Sequence, residues 1–332
     1  MKVLVTGAAG RIGRNLAAAL LANGAEVRGV VLPDDPGIER ARRAGVECWV
    51  GNLRDPDFCA GAVAGCDAVV HLGAMLLFGQ DEHNPVLLED NLRATFNVLQ
   101  AIPRRAPALR RFVFASSDEV YPSLYAAYLP IDESHPTRPY SFYGVTKLTG
   151  EELVRFYGRA HAIPAVIARF ALTIEPWEAL RSDRPLGNVL HLRSLVEIVR
   201  GRTGEAAAND LAARLIPDVD QLVVPRDEAG QPWLFHFCDV RDLVQGLLLL
   251  LEKPAAIGEA FNLSGPAPFS FAEVVPYVAA RTGQPVVEAT IPGPPIRIHH
   301  SIAKARGLLG YAPAHDVFST IDAALATVDD RG

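Results

Sequence analysis

Apolar residues enter the first half of the chain in two alternating rhythms. Short β-branched runs such as Lys2–Thr6 are followed by stretches whose apolar positions recur every three or four residues, as Ile12, Leu16 and Leu20 do before the Asn23-Gly24 stop. The first rhythm predicts buried strands, the second amphipathic helices closed by a glycine cap. Continued along the chain, the pattern predicts strands at Val27–Leu32, Glu47–Val50, Ala68–Leu72, Arg111–Ala115 and Ala165–Phe170. Helices are predicted at Ile38–Ala44, Asn91–Ala101 and Ser141–Tyr157. Strands so continuously apolar belong to a parallel sheet covered on both faces. The expected fold class is therefore α/β, with a Rossmann-type doubly wound parallel sheet.

Beyond Ala171 the rhythm breaks. Trp177–Arg184 is polar and irregular, Leu190–Arg200 reads as a helix, and Ala206–Pro232 carries charges and turns without a period. The pattern then resumes with a helix at Asp239–Leu251, a strand at Ala260–Leu263 and a helix at Phe271–Thr282. We expect residues 1–171 and the returning stretch 236–264 to form the dinucleotide-binding unit. Residues 172–235 and 265–332 are expected to form a smaller C-terminal substrate-binding lobe.

Composition narrows the ligand. Against 38 acidic residues stand 32 Lys and Arg, a net charge of −6, so no global positive field attracts nucleic acid. Apolar runs such as Leu247–Leu251 are far short of the roughly 20 residues that span a bilayer. Neither nucleic acid nor membrane is an expected partner, which leaves a small molecule. Cys48, Cys59, Cys66 and Cys238 have no metal-site or redox-pair spacing and are expected as small buried hydrophobes. With no leader pattern around Lys2, the expected setting is the reducing cytoplasm.

Three groups of residues carry chemistry. Gly7-x-x-Gly10-x-x-Gly13 sits between the first strand and helix, where glycines admit a pyrophosphate to the unpaired N–H groups of a helix N-terminus. Tyr143 and Lys147 are one helical turn apart on one face, and a neighbouring ammonium favours the phenolate of a tyrosine otherwise too weak a base at neutral pH. Ser117 follows a strand of the same sheet, so its hydroxyl falls near the carboxyl edge where open α/β sheets bind ligands.

Together with Gly51-Asn52-Leu53-Arg54-Asp55, His71-Leu72-Gly73-Ala74, Asn91-Leu92-Arg93-Ala94-Thr95, Ser116-Ser117-Asp118-Glu119-Val120-Tyr121, Phe237-Cys238-Asp239-Val240 and Gly258-Glu259-Ala260-Phe261-Asn262-Leu263, these motifs resemble an extended short-chain dehydrogenase/reductase of the NAD-dependent epimerase/dehydratase family. The resemblance implies bound NAD, with NADP left open. It implies Tyr143 as acid and base, Lys147 holding the nicotinamide ribose and lowering the tyrosine pKa, and Ser117 bonding the reacting oxygen. Gly7, Ala9, Gly10, Arg11, Ile12 and Gly13 would form the cofactor turn. Asn52 and Leu53 would flank the adenine, Leu72, Gly73 and Ala74 the middle of the cofactor, and Asn91 would stand behind it. A homodimer is implied as well, through the helices at Asn91–Ala101 and Ser141–Tyr157, with Phe96, Leu99, Leu148, Glu152 and Arg155 on their outer faces.

The chain also departs from the family. Val31 stands where an acidic residue often holds the adenosine ribose, although Asp34 and Asp35 are near enough to do so and would repel a 2′-phosphate; Arg11 and Arg28 keep NADP open. Nucleotide-sugar members carry arginines where this chain has Pro232 and Ile291, with Arg297 a nearby substitute, and an asparagine where it has Leu172. A sheltered diphosphate needs such cations or donors, so a smaller, non-nucleotide substrate is expected.

The expected activity is oxidation or epimerisation at a secondary hydroxyl of a sugar-like molecule. Asp118 and Glu119 resemble the acid and base of sugar 4,6-dehydratases, which makes a lyase the alternative; the plainer reading is a polar turn with Glu119 as a cap. A dinucleotide-binding protein without catalysis is the third reading, and the joint presence of Ser117, Tyr143 and Lys147 speaks against it. His299 and His300, adjacent in a presumed strand, should face opposite ways, so no metal site is expected. His71 reads as structural or as a cofactor neighbour, and Tyr121, Tyr125, Tyr128 and Tyr140 as pocket lining or packing. His191, Arg193 and Arg297 are the cations considered for an acidic substrate.

Overall fold

The computed structural model describes residues 1–76 and 84–329. In β1 (Lys2–Thr6), Val3 and Val5 enter one buried cluster and Leu4 the opposite one. This is why the run is apolar throughout: a strand with period two must satisfy two cores when helices cover both faces of its sheet. The strand continues into a seven-stranded, all-parallel sheet with β2 (Glu26–Val31), β3 (Glu47–Val50), β4 (Ala68–His71), β5 (Arg111–Ser117) and β6 (Ala165–Phe170). Its order is Ala260–Leu263, β6, β5, β4, β1, β2, β3. Successive strands run outwards in opposite directions from β1 and β4, and a crevice opens at their carboxyl ends, Thr6 and His71.

One face is covered by α1 (Arg11–Ala22) and the helix Val240–Glu252, the other by α3 (Pro56–Val63), α4 (Ala94–Arg105) and α5 (Phe142–His161). The small α2 (Ile38–Arg43) follows β2. α3 escaped the sequence reading because its apolar residues make no regular stripe, although Asp55 caps it, accepting from Asp57 and Phe58, and Pro56 opens it. The segment before α4 is helical from Leu88, as one wider π turn. β5 runs two residues further than expected, making Ser117 its last residue. Leu99, expected on the outer face of α4, is wholly buried among α3, α4 and α5. Cys59, Cys66 and Cys238 are buried, Cys48 is half-buried, and all four are free; burial pushes the Cys59 thiol up to about 12.

A second core lies beside the first, built from Leu186, Leu195, Val223, Trp233, Phe271 and Val274 among others. It draws on the helices Pro185–Leu190, Leu192–Thr203 and Glu205–Ala212 and on the parallel pair Leu222–Arg226 with Val286–Thr290. The last helix of the three and the first strand of the pair fall where the sequence has no visible period. Ala208 and Leu211 are the residues of that helix that are fully buried, too few to make a pattern. Ala303–Leu309 also packs on the large sheet, through Ala305 and Leu309, so the chain returns there once more within the stretch assigned to the lobe.

Candidate active site

The turn after β1 is shaped by two glycines. Gly7 has φ +66°, in the left-handed region, and a Cβ on Gly13 would stand 2.1 Å from the Gly7 carbonyl oxygen. Larger residues would strain the first turn and push α1 away from it. No side chain caps α1 at Gly10, so its first N–H groups are left for a ligand. Two adjoining cavities, of about 280 and 200 Å³, share Gly7, Gly10, Leu72 and Ala74 and make one groove across the carboxyl ends of the strands. Val31, Leu32, Asp35, Asn52, Leu53 and Gly73 line one half, and Arg11, Ile12, Gly13, Tyr143 and Lys147 the other. An elongated apolar cleft with bare N–H groups at its waist suits a dinucleotide whose pyrophosphate lies over α1.

Two residues expected along the cofactor do not border this groove. Ala9 is buried beneath the turn and lines a separate cavity between α1 and α2. Asn91 is buried behind the groove wall: its side-chain oxygen accepts from the Met75 N–H at 2.7 Å, and its amide donates to Thr146 Oγ1 at 3.0 Å. It thus ties the groove wall to α5. Asp90 and Ala94 line the groove unforeseen, because only packing of the π turn against the sheet brings them there.

At the far end Asp35 borders the cavity and Asp34 does not. The arginines that left NADP open are both committed elsewhere. Arg28 is buried and donates to the Ala62 and Ala64 carbonyls at 2.9 and 2.8 Å. Arg11 donates to the Thr173 carbonyl at 2.8 Å and pairs with Glu178 at 2.7 Å.

At the reactive end α5 begins on Ser141, whose hydroxyl oxygen accepts from the Gly144 N–H at 2.9 Å and whose proton goes to Glu119 at 2.7 Å. Glu119 is therefore held at a helix cap. Tyr143 and Lys147 follow one turn apart. Burial lowers Lys147 to about 8, and its Nζ donates to the Ala115 carbonyl at 2.8 Å, 5.5 Å from the Tyr143 ring centre. Ser117 donates to Asp118 at 3.2 Å and accepts from the Glu119 N–H at 3.2 Å, and it lies near enough to Tyr143 to favour the phenolate. In the chain by itself burial raises the Tyr143 pKa, Asp118 and Glu119 raise it further, and the nearby Ser117 hydroxyl offsets only part of this. That net direction is opposite to the one expected from Lys147 alone.

The remaining candidates divide cleanly. His71 bridges Thr6 and Thr95 and is kept neutral by burial, its pKa lowered to about 3; it is structural. Tyr121 is buried, with its hydroxyl bonded to Asn262 and Arg169, and Tyr128 bonds Asp132; Tyr125 and Tyr140 are exposed with ring centres 4.9 Å apart. His191 is locked between Asp220 at 2.8 Å and the Leu180 carbonyl at 3.0 Å, Arg297 pairs with Asp227 at 3.1 Å, and Arg193 is exposed. His299 and His300 do not lie in a regular strand, so the alternation rule does not separate them. Both rings come within 6 Å of the His236 ring, at 5.7 and 5.8 Å between centres. Among the described residues there is no group of three or more His, Cys, Asp or Glu placed to hold a metal. No helix among them is long and apolar enough to cross a membrane.

A parallel doubly wound sheet with this glycine turn, and with a tyrosine and a lysine one helical turn apart beside it, defines an extended short-chain dehydrogenase/reductase. The family model described as "NAD dependent epimerase/dehydratase family" matches residues 3–189, and the chain belongs to that family. A UDP-glucose 4-epimerase of Streptomyces lividans is 30% identical, over 94% of this chain and 92% of its own. A uronate dehydrogenase of Agrobacterium fabrum is 34% identical over 47% of this chain and 55% of its own. Among solved structures, a short-chain dehydrogenase/reductase superfamily protein of Agrobacterium tumefaciens with bound NAD is 37% identical, with a TM-score of 0.89 over 100% of this chain and 98% of that one.

Proposed function

We propose that the protein is an NAD-dependent enzyme that oxidises or epimerises a secondary hydroxyl of a sugar-like small molecule. The observation that carries this reading is the pairing of Tyr143 and Lys147 at one end of a groove shaped for a dinucleotide, with Ser117 close to the tyrosine just outside the groove lining. NAD, when bound, supplies the hydride acceptor. Tyr143 exchanges the hydroxyl proton, Lys147 supplies positive charge that favours its phenolate, and Ser117 orients the reacting oxygen. Asp35 at the ribose end favours NAD, since a carboxylate there repels a 2′-phosphate.

The substrate lobe supports a ligand without a nucleoside diphosphate. Pro232 and Ile291 bring no charge, Ile291 is buried, and Arg297 is already paired. A relative that acts on uronates, beside one named for UDP-glucose, is consistent with either size of substrate within this fold. The lyase reading is weaker, because Glu119 is held by Ser141 and Asp118 by Ser117. The test is to identify the copurified dinucleotide by mass spectrometry and then to offer free sugars, sugar acids, polyols and UDP-glucose, following NADH and product. Conversion of an unlinked sugar or sugar acid is expected. Conversion of UDP-glucose alone would overturn the substrate assignment, and a dehydrated product would establish the lyase.

The proposal extends to a homodimer. Phe96 of α4 and Val145 and Phe156 of α5 are exposed apolar side chains on two helices that pack together, and a second copy would cover them. Light scattering at micromolar concentration should give twice the mass of one chain; a monomer mass would remove this part.

A further inference from the structure

Behind the reactive end of the groove a row of polar groups that hydride transfer does not itself require runs from the half-buried Asp118 to the buried His300 and His236. Asp118 Oδ1 accepts from Ser117, and its Oδ2 is 3.5 Å from His300 Nε2. The His300 side chain is 2% exposed, and neither ring nitrogen has a hydrogen-bond partner among the described residues. Its backbone N–H donates to His236 Nδ1 at 3.1 Å, and the two rings stack with centres 5.8 Å apart. Since His236 Nδ1 is thereby an acceptor, the His236 proton sits on Nε2 and is donated to the Gly265 carbonyl at 3.1 Å. His236 is a neutral imidazole.

The groups facing this row come from three directions. Glu119 adjoins Asp118 on the same turn, Tyr143 and Lys147 come from α5, and His236 and His299 flank His300. No Lys or Arg pairs with Asp118 among the described residues; Lys147 spends its Nζ on the Ala115 carbonyl. Asp118 keeps 18% of its side chain exposed, and a carboxylate so largely sheltered without a cation is costly, as is an imidazolium stacked on another imidazole.

We propose that Asp118 and His300 hold one proton between them as a neutral carboxyl–imidazole pair, and that His300 is thereby a positioning residue that keeps an anion from standing behind Ser117. The Oδ2 proton points to His300 Nε2, and a slight approach closes that hydrogen bond. Burial is the main reason that both groups favour their neutral forms, raising Asp118 to about 7 and lowering His300 to about 3. An ionised Asp118 would grip the Ser117 hydroxyl with a charge-assisted bond and raise Tyr143 further. A neutral one holds Ser117 weakly enough to release it to a substrate oxygen. The pair neither gains nor loses a proton during turnover.

This inference rests on the proposed function only in taking Ser117 and Tyr143 as the reacting pair, and its test needs no substrate. Infrared difference spectra of the NAD-loaded full chain, wild type minus D118N, at about pH 6, should show a protonated-carboxyl stretch belonging to Asp118. The stretch should move when His300→Leu removes the acceptor, and stay in place in His300→Gln, whose amide oxygen can accept. A carboxylate signal at that pH, or a stretch indifferent to His300→Leu, overturns the pair. Tyr143 titration, read from phenolate absorbance as the difference from Y143F, should stay in place in D118N, because a neutral amide then replaces a neutral carboxyl; a fall of about one unit, a tenfold change, would reveal an anion beside the phenol and overturns the neutral pair. D118N preserves shape, so these readings stand even if His300→Leu does not fold. Failure here leaves the hydride-transfer reading intact, whereas full turnover in Y143F would overturn that reading without touching the pair.

Discussion

Tyr143→Phe is expected to lower turnover by about a hundred- to ten-thousand-fold while leaving NAD affinity within a few-fold of wild type. The substitution removes one oxygen atom and keeps the ring. The glycine turn, Asn52, Leu53 and the Leu72–Ala74 wall form most of the groove and do not depend on that hydroxyl. Only the proton exchange is lost, so kcat should fall more than KM changes. The pH dependence has a definite sign. Burial raises the Tyr143 pKa, so oxidation by wild type should accelerate as pH rises towards phenolate formation, and the residual rate of the variant should lack that limb. Steady-state kinetics on the substrate found by the panel, with NAD titration by fluorescence, checks both parts. A wild-type rate in Y143F would remove this residue as the acid and base.

Glu151→Gln is expected to destabilise the fold by about 3–5 kcal/mol, the usual cost of stripping one partner from a buried ion pair. Glu151 is wholly buried and receives a two-pronged contact from Arg169 at 2.8 Å on each oxygen, a bond from Ser116 at 2.7 Å and another from Arg155 at 2.9 Å. Burial alone would push its carboxyl up; the Arg169 guanidinium outweighs that and holds it below the ordinary glutamate range. Gln keeps the shape but leaves Arg169, itself 4% exposed, as a buried cation with Tyr121 as its remaining side-chain partner. A depressed carboxyl contributes stability above its unfolded pKa and loses it as pH falls through the folded one. The gap between wild type and variant should therefore be full at neutral pH and close in acid. Urea unfolding at several pH values measures it; equal midpoints at pH 7 would show that Arg169 is neutralised in another way.

The same residue also positions the site. Tyr143, Lys147 and Glu151 are four apart on one face of α5, and Glu151 fastens that face to β5 through Ser116 and to β6 through Arg169. A loosened α5 should weaken catalysis as well as stability. Nothing in the spacing marked Glu151, because a carboxylate inside a helix reads as solvent-facing until its partners, 35 and 18 residues away, are known.

The sequence by itself determined the doubly wound sheet, the glycine turn and the four-residue spacing of Tyr143 and Lys147. Each of these is written locally: in the period of apolar residues, in glycines where a Cβ cannot fit, and in a four-residue spacing on a helix. Only the tertiary structure decided which polar residues are free to act. Arg28, His191 and Arg297 look alike as unattached cations in the chain, and the fold binds each to a carbonyl or carboxylate distant in sequence. Asp118 and Glu119 read as a matched pair, yet packing sends one to a helix cap and sets the other against an imidazole 182 residues further on. Periodicity records which side chains are buried. It does not record what a buried polar group meets, because that partner is supplied by another strand or helix and is fixed only when the layers close.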